Sequence, residues 1–198
     1  MVRDKLLRDE SGHLTIDDEG IIYRSENGKT TLRFAYADIR KANLSRPHVI
    51  RLQTYDRSKR KLTRNRSYEF RLKEKVTDSR LARFLIQRLA RPLVGFYELA
   101  GEYSGEIPVY HRHRLGGCHG VLRIVEEGIQ FVSEQSVDSR SWLYQDLETL
   151  GSSSPFNLRV RSFVETYMFD LKDRVPEDTY RLIWQRIHNR QPRRAGGN

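Results

Sequence analysis

The chain has 198 residues, 37% hydrophobic and 31% charged, with 36 Lys and Arg against 26 Asp and Glu and a formal net charge of +10. Ten Tyr, eight Phe and two Trp exclude a disordered chain, no apolar run reaches the roughly 18 residues of a membrane helix, and a single Cys excludes a disulfide framework or a four-Cys zinc site. The basic balance points to an anionic partner, and the polar first ten residues lack the apolar stretch of a secretory signal, which predicts a cytoplasmic protein.

In chain order, Leu14 and Ile16 alternate with polar residues, Asp17-Asp18-Glu19-Gly20 makes a turn, and Ile21 and Tyr23 resume the alternation. A period of two across a tight turn predicts a hairpin. Asn27-Gly28 turns the chain again before Leu32, Phe34 and Tyr36, and residues 49–55 and 68–72 add two strands. The period then changes. Leu81, Phe84, Leu85 and Leu89 follow i, i+3, i+4, i+8, an amphipathic helix preceded by Thr77-Asp78-Ser79. Residues 93–108 read as a packed linker, because Leu93, Val94, Phe96, Tyr97 and Leu99 form an apolar cluster, with Gly101, Ser104, Gly105 and Pro108 as loop. Strand-like runs recur at 122–124, 129–132, 142–144, 156–163 and 167–171. A second helix opens at Pro176-Glu177-Asp178 and carries its apolar stripe on Tyr180, Ile183, Trp184 and Ile187. The polar, Gly-containing tail 191–198 is expected to be disordered.

The two halves repeat each other. Gly12-His13-Leu14-Thr15-Ile16 through Gly20-Ile21-Ile22-Tyr23 aligns with Gly120-Val121-Leu122-Arg123-Ile124 through Gly128-Ile129-Gln130-Phe131 at an offset of 108. The offset holds for Phe34, Tyr36, Asp38 and Ile39 against Trp142, Tyr144, Asp146 and Leu147. After Tyr55 and Phe163 it becomes 99, matching Tyr68, Phe70 and Leu72 to Tyr167, Phe169 and Leu171, so the first copy carries nine extra residues in one loop. A constant offset interrupted by one insertion marks a duplication. Trp142 matches Phe34 at the offset of 108 and Trp184 matches Leu85 at the offset of 99, and both read as core.

Each copy is thus several antiparallel strands followed by one helix, an α+β unit that is mainly β. The opening G-x-L-x-I-x-x-x-G-I-x-Y at 12–23, its counterpart at 120–131, and F-x-Y-x-D-I at 34–39 against W-L-Y-Q-D-L at 142–147 resemble the pleckstrin-homology-like (PH-like) superfold, most closely its bacterial PH-type and GRAM-type members. The resemblance implies two tandem PH-like small β-barrels or bent antiparallel sheets, each capped by its C-terminal helix, at 1–92 and 109–190. It also implies seven strands per copy, where the pattern shows five or six. The first strand is expected at 109–114 in copy two and near residues 3–9 in copy one.

Charge concentrates in the insertion. Residues 56–67 hold Arg57, Lys59, Arg60, Lys61, Arg64 and Arg66 against Asp56, a net +5 and half of the whole chain's excess. Such a segment is either a solvated loop or a contact for an anionic membrane surface or acidic protein. The resemblance implies phosphoinositide contacts in the loop between the first two strands, and these basic residues lie elsewhere. Only Tyr55 and Tyr68 flank the segment, and both read as strand residues rather than stacking platforms. With no helix-turn-helix, zinc finger or RNP motif, this argues against nucleic acid.

His111-x-His113-x4-Cys118-His119 gathers four ligand-type side chains. His111 and His113 share a strand face, but Cys118 and His119 are neighbours and point to opposite faces. The expectation is a strand edge without metal and a half-buried Cys118, these four residues being the candidate ligands. No catalytic motif is present, and no cofactor is implied. Asp38 and Asp146 are expected to bond nearby backbone. The chain therefore reads as a non-enzymatic binding or scaffolding module. A protein-interaction module using an open sheet edge, a small-molecule binder or enzyme and, less favoured, a nucleic-acid binder remain as alternatives.

Overall fold

The computed structural model describes residues 2–4, 7–46, 48–55, 65–73, 79–113, 116–135 and 138–189. Among the described residues the chain is mainly β with two α-helices, and it divides into two compact units between Val94 and Gly95. No helix among the described residues is long and apolar enough to cross a membrane.

The second unit is built on seven antiparallel strands: β10 (Tyr103–His113), β11 (Gly116–Val125), β12 (Gly128–Ser133), β13 (Arg140–Leu143), β14 (Leu147–Gly151), β15 (Asn157–Ser162) and β16 (Thr166–Leu171). Their order is β13-β12-β11-β10-β16-β15-β14. The end strands β13 and β14 do not pair, so the sheet is open and not the closed barrel that the sequence resemblance allowed. Inward residues of all seven strands form one apolar core with Ile183 and Ile187 of helix α2 (Glu177–His188). Acidic Glu177 and Asp178 open α2 and basic Arg186 and His188 close it, each complementing the helix dipole. The helix is tied to two strands: Tyr180 Oη donates to the Leu150 carbonyl (3.3 Å) and Arg186 Nη1 to that of Val125 (2.9 Å).

The expected linker 93–108 is divided between the units. Leu93–Val94 forms β9, a short parallel strand beside β6 (Ile39–Arg46). Residues 95–100 are stitched to β12 and β13, where the Gln130 amide donates to Tyr97 O (2.8 Å) and Ser141 N to Gly95 O (2.9 Å). Ser104, Gly105 and Pro108, read as loop, belong to β10. Pro108 is tolerated because β16 begins to pair only at Val109, which leaves one side of the strand open at the proline, and an irregularity in register between Tyr103 and Gly105 absorbs the glycine.

The first unit has the same connectivity with one break. Its strands are β1 (Val2–Asp4), β2 (Leu7–Glu10), β3 (Gly12–Ile16), β4 (Ile21–Ser25), β5 (Thr31–Phe34), β6, β7 (Val49–Tyr55) and β8 (Asn65–Arg71), followed by α1 (Ser79–Arg88) and β9. They form a sheet β2-β1-β8-β7-β6-β9 and a sheet β3-β4-β5. Val2 lies opposite Phe70 as His111 lies opposite Phe169, so β1 corresponds to β10. Strands β2 and β3 together correspond to β11, interrupted at Ser11.

Matching side chains fill the two units. Tyr23, Phe34, Tyr68 and Phe70 form one aromatic group, with Phe34 edge-on to Tyr68 at 4.8 Å and Tyr23 5.8 Å from Phe70. Phe131, Trp142, Tyr167 and Phe169 repeat it, at 4.9 Å for Trp142–Tyr167 and 5.0 Å for Phe131–Phe169. Tyr36 Oη donates to Asp17 O and Tyr144 Oη to Val125 O, the same bond 108 residues apart. Trp184 departs from expectation: it is 45% exposed, whereas Ile183 is fully buried.

The Asn27-Gly28 turn forms as expected. Gly28 has φ +70°, and the Asn27 carboxamide oxygen accepts from Lys29 N at 2.9 Å. Gly28→Ala, which forces a Cβ into left-handed backbone, is expected to lower the stability of this unit by about 1–2 kcal/mol in urea denaturation.

Candidate functional site

The hairpin of β10 and β11 creates the densest chemical cluster among the described residues. In its register His111 faces Cys118 directly, and both side chains enter the core. His113, two residues on, shares that face, and the residue opposite it is Gly116. A Cβ at Gly116 would meet nothing within 4 Å, so the His113 ring has room to lean toward Cys118. The His113 Nε2 lies 3.6 Å from Cys118 Sγ and 3.6 Å from Asp138 Oδ2. One ligand atom from each of His111, His113 and Cys118 lies within 4.8 Å of the others.

The environment sets the state of each group. His111 is 6% exposed, its ring stacks on Tyr167 with centroids 4.2 Å apart and planes 10° off parallel, and its Nδ1 is buried without a hydrogen-bond partner. Burial, reinforced by the adjacent His113, lowers its pKa to about 4, so the ring is neutral at pH 7 with a lone pair on one nitrogen. Burial also pushes the Cys118 thiol up, against a Ser133 Oγ donor at 3.3 Å from Sγ. The side chains of His113 and Asp138 are 36% and 25% exposed and form the open side of the cluster.

Three sequence expectations change here. The His/Cys segment is no strand edge, because at His111 strand β10 is flanked by both β11 and β16. Cys118 is fully buried rather than half-buried, at 4% exposure. Three of the four candidate ligands converge, and only His119 turns to the other face, where its ring sits 4.9 Å from Tyr110. Asp138 joins the group from the connection between β12 and β13, and no spacing in the sequence signals that approach.

Of the basic candidates, Arg57, Lys59, Arg60, Lys61 and Arg64 lie outside the described residues. Arg66 is exposed on β8, opposite Thr54. The β7–β8 ladder runs up to the pair Tyr55–Asn65. In the second unit the equivalent strands are closed by a short turn in which Ser162 N donates to Glu165 O at 2.9 Å. Tyr68 is buried against Phe34, and Tyr55 is exposed with the Arg91 guanidinium 5.5 Å from its ring centroid. Both are strand residues, as the repeat implied. Asp38 and Asp146 end equivalent 3₁₀ turns, Tyr36–Asp38 and Tyr144–Asp146.

No protein-family model matches the chain, and no curated protein matches it. Among solved structures, the C-terminal domain of an unknown protein from Leishmania infantum is similar at 14% identity and a TM-score of 0.37, over 44% of this chain and 85% of that one. A likeness at that level carries no argument about function.

Proposed function

We propose that the protein is a non-enzymatic, cytoplasmic binding module of two tandem PH-like units, and that the basic segment 56–67 of the first unit contacts an anionic membrane surface. Support for the tandem reading comes from the shared strand connectivity, the repeated aromatic groups and the helix that follows β8 in the first unit and β16 in the second. The observation that carries the membrane contact is the asymmetry between the copies. Between β7 and β8 stand five Lys and Arg against one Asp, with Arg66 at the start of β8, where the second unit needs only a short turn. Each basic residue near an anionic leaflet contributes about 1 kcal/mol, so the segment can hold the protein at a surface without a pocket.

The test is sedimentation with phosphatidylserine-containing vesicles across ionic strength. The wild-type protein is expected to bind at low salt and to be released as the Debye length shrinks. The quadruple substitution Arg57→Gln, Lys59→Gln, Arg60→Gln, Lys61→Gln is expected to weaken binding by at least about 100-fold, from the loss of about four such contributions. Unchanged binding by that variant overturns the reading. A second reading, strand addition by a protein partner, is favoured by β5. This strand pairs with β4 on one side and with no strand on the other among the described residues. It predicts a complex insensitive to the quadruple substitution.

A further inference from the structure

We propose that the second unit binds one divalent transition-metal ion of the zinc class through His111, His113 and Cys118, with Asp138 as the fourth donor. The inference is independent of the membrane reading.

The geometry of His113 separates a metal site from a catalytic relay. In a thiol–imidazole–carboxylate relay the base uses its two ring nitrogens for its two partners. Here Cys118 Sγ and Asp138 Oδ2 both approach the same atom, His113 Nε2, each at 3.6 Å. A separation of 3.6 Å is too long for an N–H···O bond to the carboxylate. It matches an edge of a coordination tetrahedron. With Zn–S about 2.3 Å and Zn–N and Zn–O about 2.0–2.1 Å, tetrahedral angles put S and N donors about 3.6 Å apart and N and O donors about 3.4 Å apart. The cysteine, buried and hydrogen-bonded by Ser133, is also poorly placed as a nucleophile.

His111 supplies the second observation. Its side chain is more than nine-tenths buried within the cluster, and its Nδ1 has no hydrogen-bond partner. Native proteins rarely leave a buried polar atom unpaired, and the unpaired atom here belongs to a ring whose ligand nitrogen lies within 4.8 Å of the other two donors. A closure of up to about 1.5 Å brings it to coordination range of a shared ion. Stacking on Tyr167 holds the ring plane during that adjustment.

The donor set selects the ion. Two imidazoles, a thiolate and a carboxylate suit zinc, cobalt or copper and not the oxygen-seeking magnesium or calcium. The half-exposed His113 and Asp138 give the ion its way in. Binding deprotonates Cys118, and its proton passes to solvent, so one proton is released per ion bound. The site belongs to the second unit alone, since the positions equivalent to His111 and His113 in the first are Val2 and Asp4.

Cobalt(II) titration of the metal-stripped full chain tests this. The expected result is one ion per chain, a thiolate-to-cobalt charge-transfer band in the near ultraviolet, intense visible bands of a tetrahedral centre, and displacement by zinc. Cys118→Ser is expected to abolish the charge-transfer band. His113→Ala, at a half-exposed position that the fold does not need, is expected to weaken binding at least about tenfold, no less than the loss of a residue supporting a ligand. His119→Ala, on the opposite face, is expected to leave affinity unchanged. Absence of stoichiometric binding, or binding that survives both Cys118→Ser and His113→Ala in variants whose circular dichroism matches wild type, overturns the proposal.

Discussion

Phe131→Ala is expected to remove about 3–5 kcal/mol from the stability of the second unit, the largest effect of any single truncation considered. Phe131 is fully buried on β12, edge-on to Phe169 at 5.0 Å and 5.4 Å from the His111 ring. Loss of the ring removes its transfer free energy and also leaves a cavity among partners that cannot collapse, because they are themselves large and interlocked. Oriented ring pairs add about 0.5–1.5 kcal/mol each beyond area. A domain of this size has a total stability of about 5–15 kcal/mol, so the variant sits near the edge of folding. Urea denaturation followed by tryptophan fluorescence measures the shift in midpoint. In the first unit the equivalent residue is Tyr23, whose hydroxyl donates to Glu10 O at 2.9 Å. Tyr23→Phe keeps the ring and loses one bond, so about 1 kcal/mol is expected there. A loss at Phe131 no larger than that at Tyr23 would show that the two aromatic groups are not sealed cores.

Much of this fold is legible in the chain because its signals are local. Alternation at Leu14, Ile16, Ile21 and Tyr23 and the Asn27-Gly28 turn specify strands and hairpins within a few residues, and they form where expected. The repeat adds long-range information that a single strand lacks, and it places β14 to β16 by their likeness to β6 to β8. What escapes local reading is pairing. Nothing around Ser104, Gly105 and Pro108 announces a strand. They are extended because β11 pairs with Tyr103 and again from Gly105 onward, Ser104 falling in the irregularity between them. Likewise Ser11 splits in the first unit what β11 keeps whole in the second, a difference that only the sheet order reveals.

The candidate metal cluster shows the same division. Alternation along β10 correctly puts His111 and His113 on one face, and alternation along β11 correctly sends Cys118 and His119 to opposite faces. Those facts argued against a ligand set while the strands were considered separately. The hairpin register reverses the argument, since it sets Cys118 across from His111 and leaves His119 outside. Asp138 enters through a tertiary approach that depends on how the β12–β13 connection folds back, and no period or spacing encodes it. The basic segment is the converse case: its charge is plain in the residues.

Ile183→Ala is expected to cost about 2–5 kcal/mol, whereas Trp184→Ala, though it removes a far larger side chain, is expected to cost about 1 kcal/mol or less. The contrast tests how the terminal helices correspond. An offset of 99, continued from the strands, pairs Leu85 with Trp184. The buried positions require an offset of 98, which pairs Leu85 with Ile183 and Leu89 with Ile187, all at 2% exposure or below. The same shift pairs Arg88 with Arg186. Arg186 bonds Val125 O and the Tyr144 hydroxyl, and Arg88 acts electrostatically on the corresponding Tyr36, so the two cations hold equivalent places. One residue is therefore lost between strand and helix, and the slip turns Trp184 by about 100° out of the core, the angle per residue of an α-helix. There it stacks on His188 at 3.8 Å in a half-exposed pair, whose removal opens no cavity. Ile183 instead belongs to the apolar cluster that joins α2 to the sheet, and its truncation leaves a void against Tyr180 and the strands. Parallel melts of Leu85→Ala, Ile183→Ala and Trp184→Ala decide the matter: losses that agree for the first two place the core on the 98-residue offset, and a larger loss at Trp184 than at Ile183 would return it to 99.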